Sequence, residues 1–396
     1  MWKRAALTVS LVVLLVVILE TASRLALLLI RPFVHEDVRP TAEIYREQSE
    51  RIRVLIAHDS TRLLAFDSIL GWRYRSDHRD SINQTNGEAL RSVREYSQRP
   101  GPGVLRVAAF GNSFVYGNEV ANETSWARQV ELVAPRIEVL NYGVGGYGLD
   151  QAYLRFLREG MRYGPQVVLI GFSPDDLGRV VNVYRRFRSN REIPLVKPRY
   201  LLEPSGNLEL VPAPFHDISD YDRYLANPAL VRELGRYDQW YEPLEYEDPL
   251  YDYSATVRLL TTTWITLRRR YLGAETLIKG DVFNPASSAF RIQVALFHRF
   301  VDAARAAGAR PVVLLLPDRE CVERSRNGRR PVLASLSNAL AAAGIEYFDA
   351  TDAFRTIQPA PNVAAWFMPG GHYSPLGNEV VARWLVKRLE AQSVQR

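Results

Sequence analysis

From residue 105 onward the chain alternates short, continuously apolar runs with stretches whose apolar residues recur at helical spacing, and this alternation most limits what it can fold into. Residues 105–110, 137–140 and 167–170 read as strands, with helices over 125–134 and 151–160 between them. Strands that lack a polar face must be covered on both sides, the situation of a parallel sheet between two helical layers. The pattern lapses near residue 181 and resumes with a helix over 289–307, a strand over 311–316, a helix over 331–343, a strand over 345–348 and a helix over 377–391. The sequence therefore predicts one α/β domain, three-layered with a mainly parallel sheet, built from 105–180 and 289–396 and split by an insertion over 181–288.

The N-terminus is of another kind. Residues 5–19 are apolar apart from Thr8 and Ser10, follow Lys3 and Arg4, and resume as 25–30 after Glu20 and Arg24. With that continuation the run exceeds the ~20 residues needed to cross a bilayer. No small-residue cleavage site stands out, so 1–31 reads as an uncleaved signal anchor in preference to a cleaved signal peptide. The flanking Lys3 and Arg4 place the N-terminus inside and the bulk of the chain outside, periplasmic or extracellular. Residues 32–104 read as a stalk, helical over 41–64, followed by short strands and turns.

Composition excludes several classes of function. A single cysteine, Cys321, rules out an intramolecular disulfide framework. The six histidines, at 35, 58, 78, 216, 298 and 372, never form a close pair, so neither a metal site nor any other cofactor is expected. Lys and Arg exceed Asp and Glu by 50 to 44, but the excess is dispersed and no nucleic-acid-binding motif accompanies it; no nucleic-acid partner is expected. Residues 237–253 hold six carboxylates and six aromatics with no Lys or Arg. They read as a loop packing its own aromatics, or alternatively as a surface that stacks on sugar rings.

The residues fit for chemistry sit where strands end. Gly111-Asn112-Ser113-Phe114 follows the first strand directly, which would expose the Ser113 hydroxyl at a tight turn with its N–H free to meet an oxyanion. Asn141-Tyr142-Gly143-Val144-Gly145-Gly146 follows the second strand and Gly171-Phe172-Ser173-Pro174-Asp175-Asp176 the third. Gly370-Gly371-His372-Tyr373-Ser374-Pro375 precedes the last helix and could bring His372 to Ser113. Gly143, Gly145 and Gly148 also satisfy a dinucleotide-binding spacing, but after the second strand instead of the first and with no acidic residue closing a following strand.

Four such blocks in this order resemble the SGNH (GDSL) hydrolase superfamily, over about 105–176 and 289–389, and the tethered N-terminus is similar to its membrane-anchored bacterial members. The resemblance implies Ser113 as nucleophile, His372 as base and Gly146 as an oxyanion-binding amide. It implies that Asn112 shapes the turn where the family has Asp, and that Asp175 stands where the family has an Asn oxyanion donor. An ionised Asp175 would repel a developing oxyanion. The family's aspartate two or three residues before the histidine is replaced by Gly370 and Pro369, leaving Asp349 and Asp352 as candidate substitutes. The expectation is an exported, membrane-anchored esterase or O-acyltransferase acting on an ester-bearing small molecule or glycan, such as an O-acylated envelope carbohydrate. The alternative is a catalytically impaired relative that binds a glycan or protein.

Overall fold

The computed structural model describes residues 1–33, 38–56, 62–189, 192–272, 276–358 and 362–393, so His35 and His58 lie outside the described residues. The chain divides into two compact units, one of Met1–Val54, Asn182–Val196 and Asp217–Ala274, the other of Leu55–Val181, Lys197–His216 and Glu275–Arg396.

The second unit carries the alternating pattern. Its sheet is built from β1 (Leu105–Phe110), β2 (Ile137–Asn141), β3 (Val167–Phe172), β4 (Arg310–Leu315) and β5 (Tyr347–Asp349). All pairings are parallel, in the order β5-β4-β3-β1-β2. The connecting helices are α1 (Ser113–Tyr116), α2 (Trp126–Val133), α3 (Leu149–Glu159), α4 (Ser288–Ala306), α5 (Ala334–Ala342) and α6 (Pro375–Ser393). Alternate strand residues point to opposite faces. Val107, Ala109, Leu169 and Leu314 join Trp126 and Val130 of α2 and Val381 and Leu385 of α6 in one buried cluster. On the other face Phe110 meets Phe156 of α3 at 5.6 Å, and Phe156 meets Phe300 of α4 at 5.3 Å. The result is the three-layer α/β arrangement that apolar strands require. An antiparallel hairpin, Leu64–Asp67 with Gly71–Tyr74, belongs to the same unit.

Strand order fixes where a ligand can bind. β1 lies between β2 and β3, so the chain leaves β1 toward one side of the sheet and β3 toward the other, and a crevice opens beyond their C-terminal ends. Ser113 follows β1 and Ser173 follows β3.

In the first unit, a 29-residue helix, Trp2–Ile30, reaches a mean hydropathy of 2.5 with none of that window buried. It is long and apolar enough to cross a membrane by length and composition. The acidic-aromatic segment turns largely upon its own unit: Tyr241 and Tyr246 stack at 5.3 Å and each meets Phe187 edge-on. Asp238 accepts hydrogen bonds from the Val183 and Tyr184 amides, and Asp252 accepts from Thr41 N at 2.7 Å. Tyr253 remains exposed.

Candidate active site

Ser113 opens α1, a single helical turn capped by Asn112, whose side-chain oxygen accepts from Phe114 N at 2.8 Å. The turn is drawn tight against β1: Gly111 sits at φ +157°, and an added β-carbon would meet the Val115 side chain at 2.4 Å. Gly143 allows the loop after β2 to lie directly on this turn, since a β-carbon there would come within 2.3 Å of Tyr116 N. Gly146, in the same loop, adopts the left-handed conformation at φ +80°. The turn after β3 is tied to the first by the Asn112 amide, which donates to Ser173 Oγ at 2.7 Å and to both carboxylate oxygens of Asp176 at 2.9 and 2.8 Å.

His372 reaches this point from the far end of the chain. Its loop is held by Asn378 of α6, fully buried, which accepts from Trp126 N and donates to the Tyr373 and Ser374 carbonyls. The ring packs 5.2 Å from that of Phe114. Ser113 Oγ donates to His372 Nε2 at 2.8 Å, although 259 residues separate them. On the other side of the ring, Nδ1 donates to Glu119 Oε2 at 2.5 Å.

Glu119 therefore occupies the position for which the sequence suggested Asp349 or Asp352, and the reason is local geometry. Asp349 accepts instead from Thr351 N, and Asp352 pairs with Arg355. Glu119 also receives the backbone N–H groups of Gly370 at 2.8 Å and His372 at 3.1 Å. Burial works against its charge, but the hydrogen bonds from the His372 ring, His372 N and Gly370 N outweigh it and hold the carboxyl below its ordinary range. The residue sits at φ +70°, a left-handed conformation that costs a non-glycine residue on the order of 1–3 kcal/mol and collects at functional sites. Arg91 holds the loop in this shape. Its guanidinium donates to the Tyr116, Gly117 and Val120 carbonyls and lies 4.2 Å from the Tyr116 ring centroid.

Asp175 and Asp176 have different surroundings. Asp175 has a side chain 57% exposed and pairs with Arg179 at 3.4 Å. Asp176 is the carboxylate that faces Asn112, and it also accepts from Ser173 N at 2.9 Å. Burial pushes Asp176 up to about 6 in spite of Arg179, Ser173 N and the Asn112 amide, all of which favour its charge. The structure thus unites Ser113, His372 and Asn112 and keeps Asp175 among exposed groups. It adds Glu119 and Arg91, which sequence reasoning did not single out, and brings Ser173 and Asp176 of the third block against Asn112. Among the described residues no group of three or more His, Cys, Asp or Glu is placed to hold a metal ion.

No family model matches the chain, and no curated protein matches its sequence. Solved structures to which the chain is similar include G-D-S-L lipolytic proteins and acylhydrolases. A lipolytic protein of the G-D-S-L family from Desulfitobacterium hafniense is 13% identical, covering 72% of this chain and 98% of its own, with a TM-score of 0.34. The lipase/acylhydrolase from Enterococcus faecalis is 12% identical over 73% and 97% of the two chains, with a TM-score of 0.35. A variant of an acetyl xylan esterase from Geobacillus stearothermophilus is 10% identical over 74% and 96%, with a TM-score of 0.35. None of these likenesses bears on what this chain acts on, which its own residues must supply.

Proposed function

We propose that the protein is a serine ester hydrolase or O-acyltransferase. The observation that carries this reading is the relay Ser113 Oγ to His372 Nε2 to Glu119, with hydrogen bonds of 2.8 and 2.5 Å on the two sides of one imidazole. A serine hydroxyl is a weak nucleophile unless a base takes its proton, and the base serves only in the tautomer that leaves the facing nitrogen free. Glu119 selects that tautomer by accepting Nδ1–H, and its charge stabilises the imidazolium that forms.

The reaction follows from these positions. Ser113 Oγ bonds to the ester carbonyl carbon as its proton passes to Nε2. The N–H groups of Ser113 and Gly146 are the proposed receivers of the tetrahedral oxyanion, and the proton then goes to the departing alkoxide oxygen as the C–O bond breaks. Water, deprotonated by His372, bonds to the acyl carbon, and the proton returns from Nε2 to Ser113 Oγ as the acyl–Oγ bond breaks and the acid leaves; a second alcohol in place of water makes the same step an acyl transfer. Asn112 acts by holding the turns after β1 and β3 together.

The Trp2–Ile30 helix, with Lys3 and Arg4 in its first turn, supports a single-span anchor that leaves the bulk of the chain outside the cytoplasm. Esters available there include O-acylated envelope carbohydrates, the substrate class we favour. The binding-only alternative loses its main support, since Glu119 supplies the missing acid. Fluorophosphonate labelling of the full chain in detergent tests the reading: label on the native protein and none on Ser113→Ala supports it, and an unlabelled native protein refutes it. A C-terminal reporter active only outside the cytoplasm tests the topology.

A further inference from the structure

Helices of water-soluble domains bury their apolar face. The Ala255–Leu267 helix leaves much of its apolar surface uncovered. Its buried positions are Ala255, Arg258, Thr261, Thr262 and Ile265. Leu260, Trp264 and Leu267 are 65%, 47% and 46% exposed, and Tyr271 and Leu272 of the following turn are 67% and 65% exposed. Positions 260, 264, 267 and 271 fall at i, i+4, i+7 and i+11, a single stripe of the helix. Arg258 turns inward and donates to the Tyr251 and Asp252 carbonyls, Arg269 donates to the Trp240 carbonyl, and Arg268, 44% exposed, pairs with the buried Glu242. A helix with polar groups inside and a Leu-Trp-Leu-Tyr stripe outside is made for an apolar surrounding, with Trp and Tyr suited to the membrane–water boundary.

A second observation identifies that surrounding. From Ala5 to Glu20 a helix rises about 22 Å, less than the ~30 Å of a hydrocarbon core. With Lys3 and Arg4 at the inner boundary, Glu20 stops short of the outer one, where a lone carboxylate is costly. It is not alone. Glu20 accepts from Ala255 N at 2.5 Å, Thr256 N at 3.2 Å, Ser254 Oγ at 2.9 Å and Thr256 Oγ1 at 3.1 Å. Ser23 and Thr256 bond at 3.1 Å, and Leu27 packs with Ala255. The first turn of the Ala255–Leu267 helix therefore sits at the depth of Glu20.

We propose that the segment from Ala255 to Leu272 lies at the outer boundary of the bilayer beside the Trp2–Ile30 helix, with Leu260, Trp264, Leu267, Tyr271 and Leu272 against lipid. This rests on the anchor reading above. The outer end of the anchor also presents apolar side chains: Leu25, Leu28 and Leu29 are 58%, 66% and 72% exposed.

The full chain in vesicles of phosphatidylcholine and phosphatidylglycerol tests it, using a membrane-impermeant maleimide on Leu260→Cys, Leu267→Cys, Leu14→Cys in the anchor and Ser205→Cys, an exposed position of the other unit. The native Cys321 is buried and burial pushes its thiol up, which keeps background labelling low. The expected result is protection of Leu260→Cys and Leu267→Cys by about tenfold or more relative to Ser205→Cys, because labelling needs a thiolate that hydrocarbon disfavours. Leu14→Cys should be protected too. Protection at Leu14→Cys with free labelling at Leu260→Cys and Leu267→Cys overturns this proposal and leaves the anchor standing; free labelling at Leu14→Cys overturns both. Protection that vanishes on dilution to one chain per vesicle assigns the stripe to a second copy of the chain and overturns the lipid assignment. Quenching of a fluorophore on the same two cysteines by brominated lipid gives a second readout, and its absence also overturns the proposal.

Discussion

A β-carbon on Gly370 would fall 2.5 Å from Oε1 of Glu119 and 2.7 Å from its carboxyl carbon. The lack of a side chain at 370 is thus what admits the carboxylate to His372. Gly370→Ala should dislodge Glu119 and leave the layers of the domain intact. We expect kcat on a small activated ester to fall by about 10²-fold or more, with the unfolding midpoint nearly unchanged, because loss of the orienting acid strands the imidazole in the wrong tautomer. Steady-state kinetics beside thermal unfolding checks both halves.

Glu119→Gln keeps the shape and removes the charge. Its expected cost is about 10²–10⁴ in kcat with little change in KM, since the group acts on His372 and not on bound substrate. In a Glu119→Ala background, Gly370→Asp should recover about tenfold or more of the lost rate by presenting a carboxylate from the other side of the same gap. A double variant no faster than Glu119→Ala would show that only the route through residue 119 reaches Nδ1.

Glu119 and Asp176 shift in opposite directions, so their effects on stability carry opposite signs. The Glu119 carboxyl is depressed below its ordinary 4.5, so its contribution is present above that value and is lost as pH falls through the folded value. The stability difference between native protein and Glu119→Gln should shrink in acid. Asp176 is raised from 3.8 to about 6, so the folded state prefers its proton; that preference is fully present below about 4 and is lost as pH rises through 6. Relative to Asp176→Asn, the native protein should lose on the order of 3 kcal/mol across that window. Urea titrations at closely spaced pH values measure both differences.

Asp175→Asn should change kcat by less than about twofold. Its carboxylate is exposed and paired with Arg179, where solvent screens whatever charge it carries. A gain of about 10²-fold, the worth of one oxyanion donor, would place residue 175 in the site despite that exposure.

The fold was legible because its signal is periodic. Continuous apolar runs at 105–110 and 167–170 could only be strands covered on both faces, and the structure extends the second of them to Phe172. Ser113 and His372 were legible because each lies beside turn residues at the edge of such an element. Glu119 was not, since nothing periodic marks it: it reaches His372 through a left-handed backbone held by Arg91, a contact between segments that sequence spacing does not encode. The one trace of it was negative, the empty position at Gly370. Asp175 and Asp176 are adjacent carboxylates with nothing in the sequence to tell them apart, and the rotation of the turn after β3 decides which one meets Asn112. The Ala255–Leu267 helix was obscured in a similar way, because its apolar stripe has the helical period whichever way it faces.

The proposed nucleophile, Ser113, and the proposed acid, Glu119, travel together on one short stretch of chain, while His372 arrives 253 residues after Glu119. A chain made from its N-terminus therefore presents Ser113 and Glu119 well before His372 exists to join them, and the α6 helix that completes one layer of the domain follows His372 in turn. Until the final helix seats and Asn378 grips its loop, the serine is an ordinary alcohol. On the proposed mechanism a newly made chain is chemically silent by construction, and activity appears at the end of its folding.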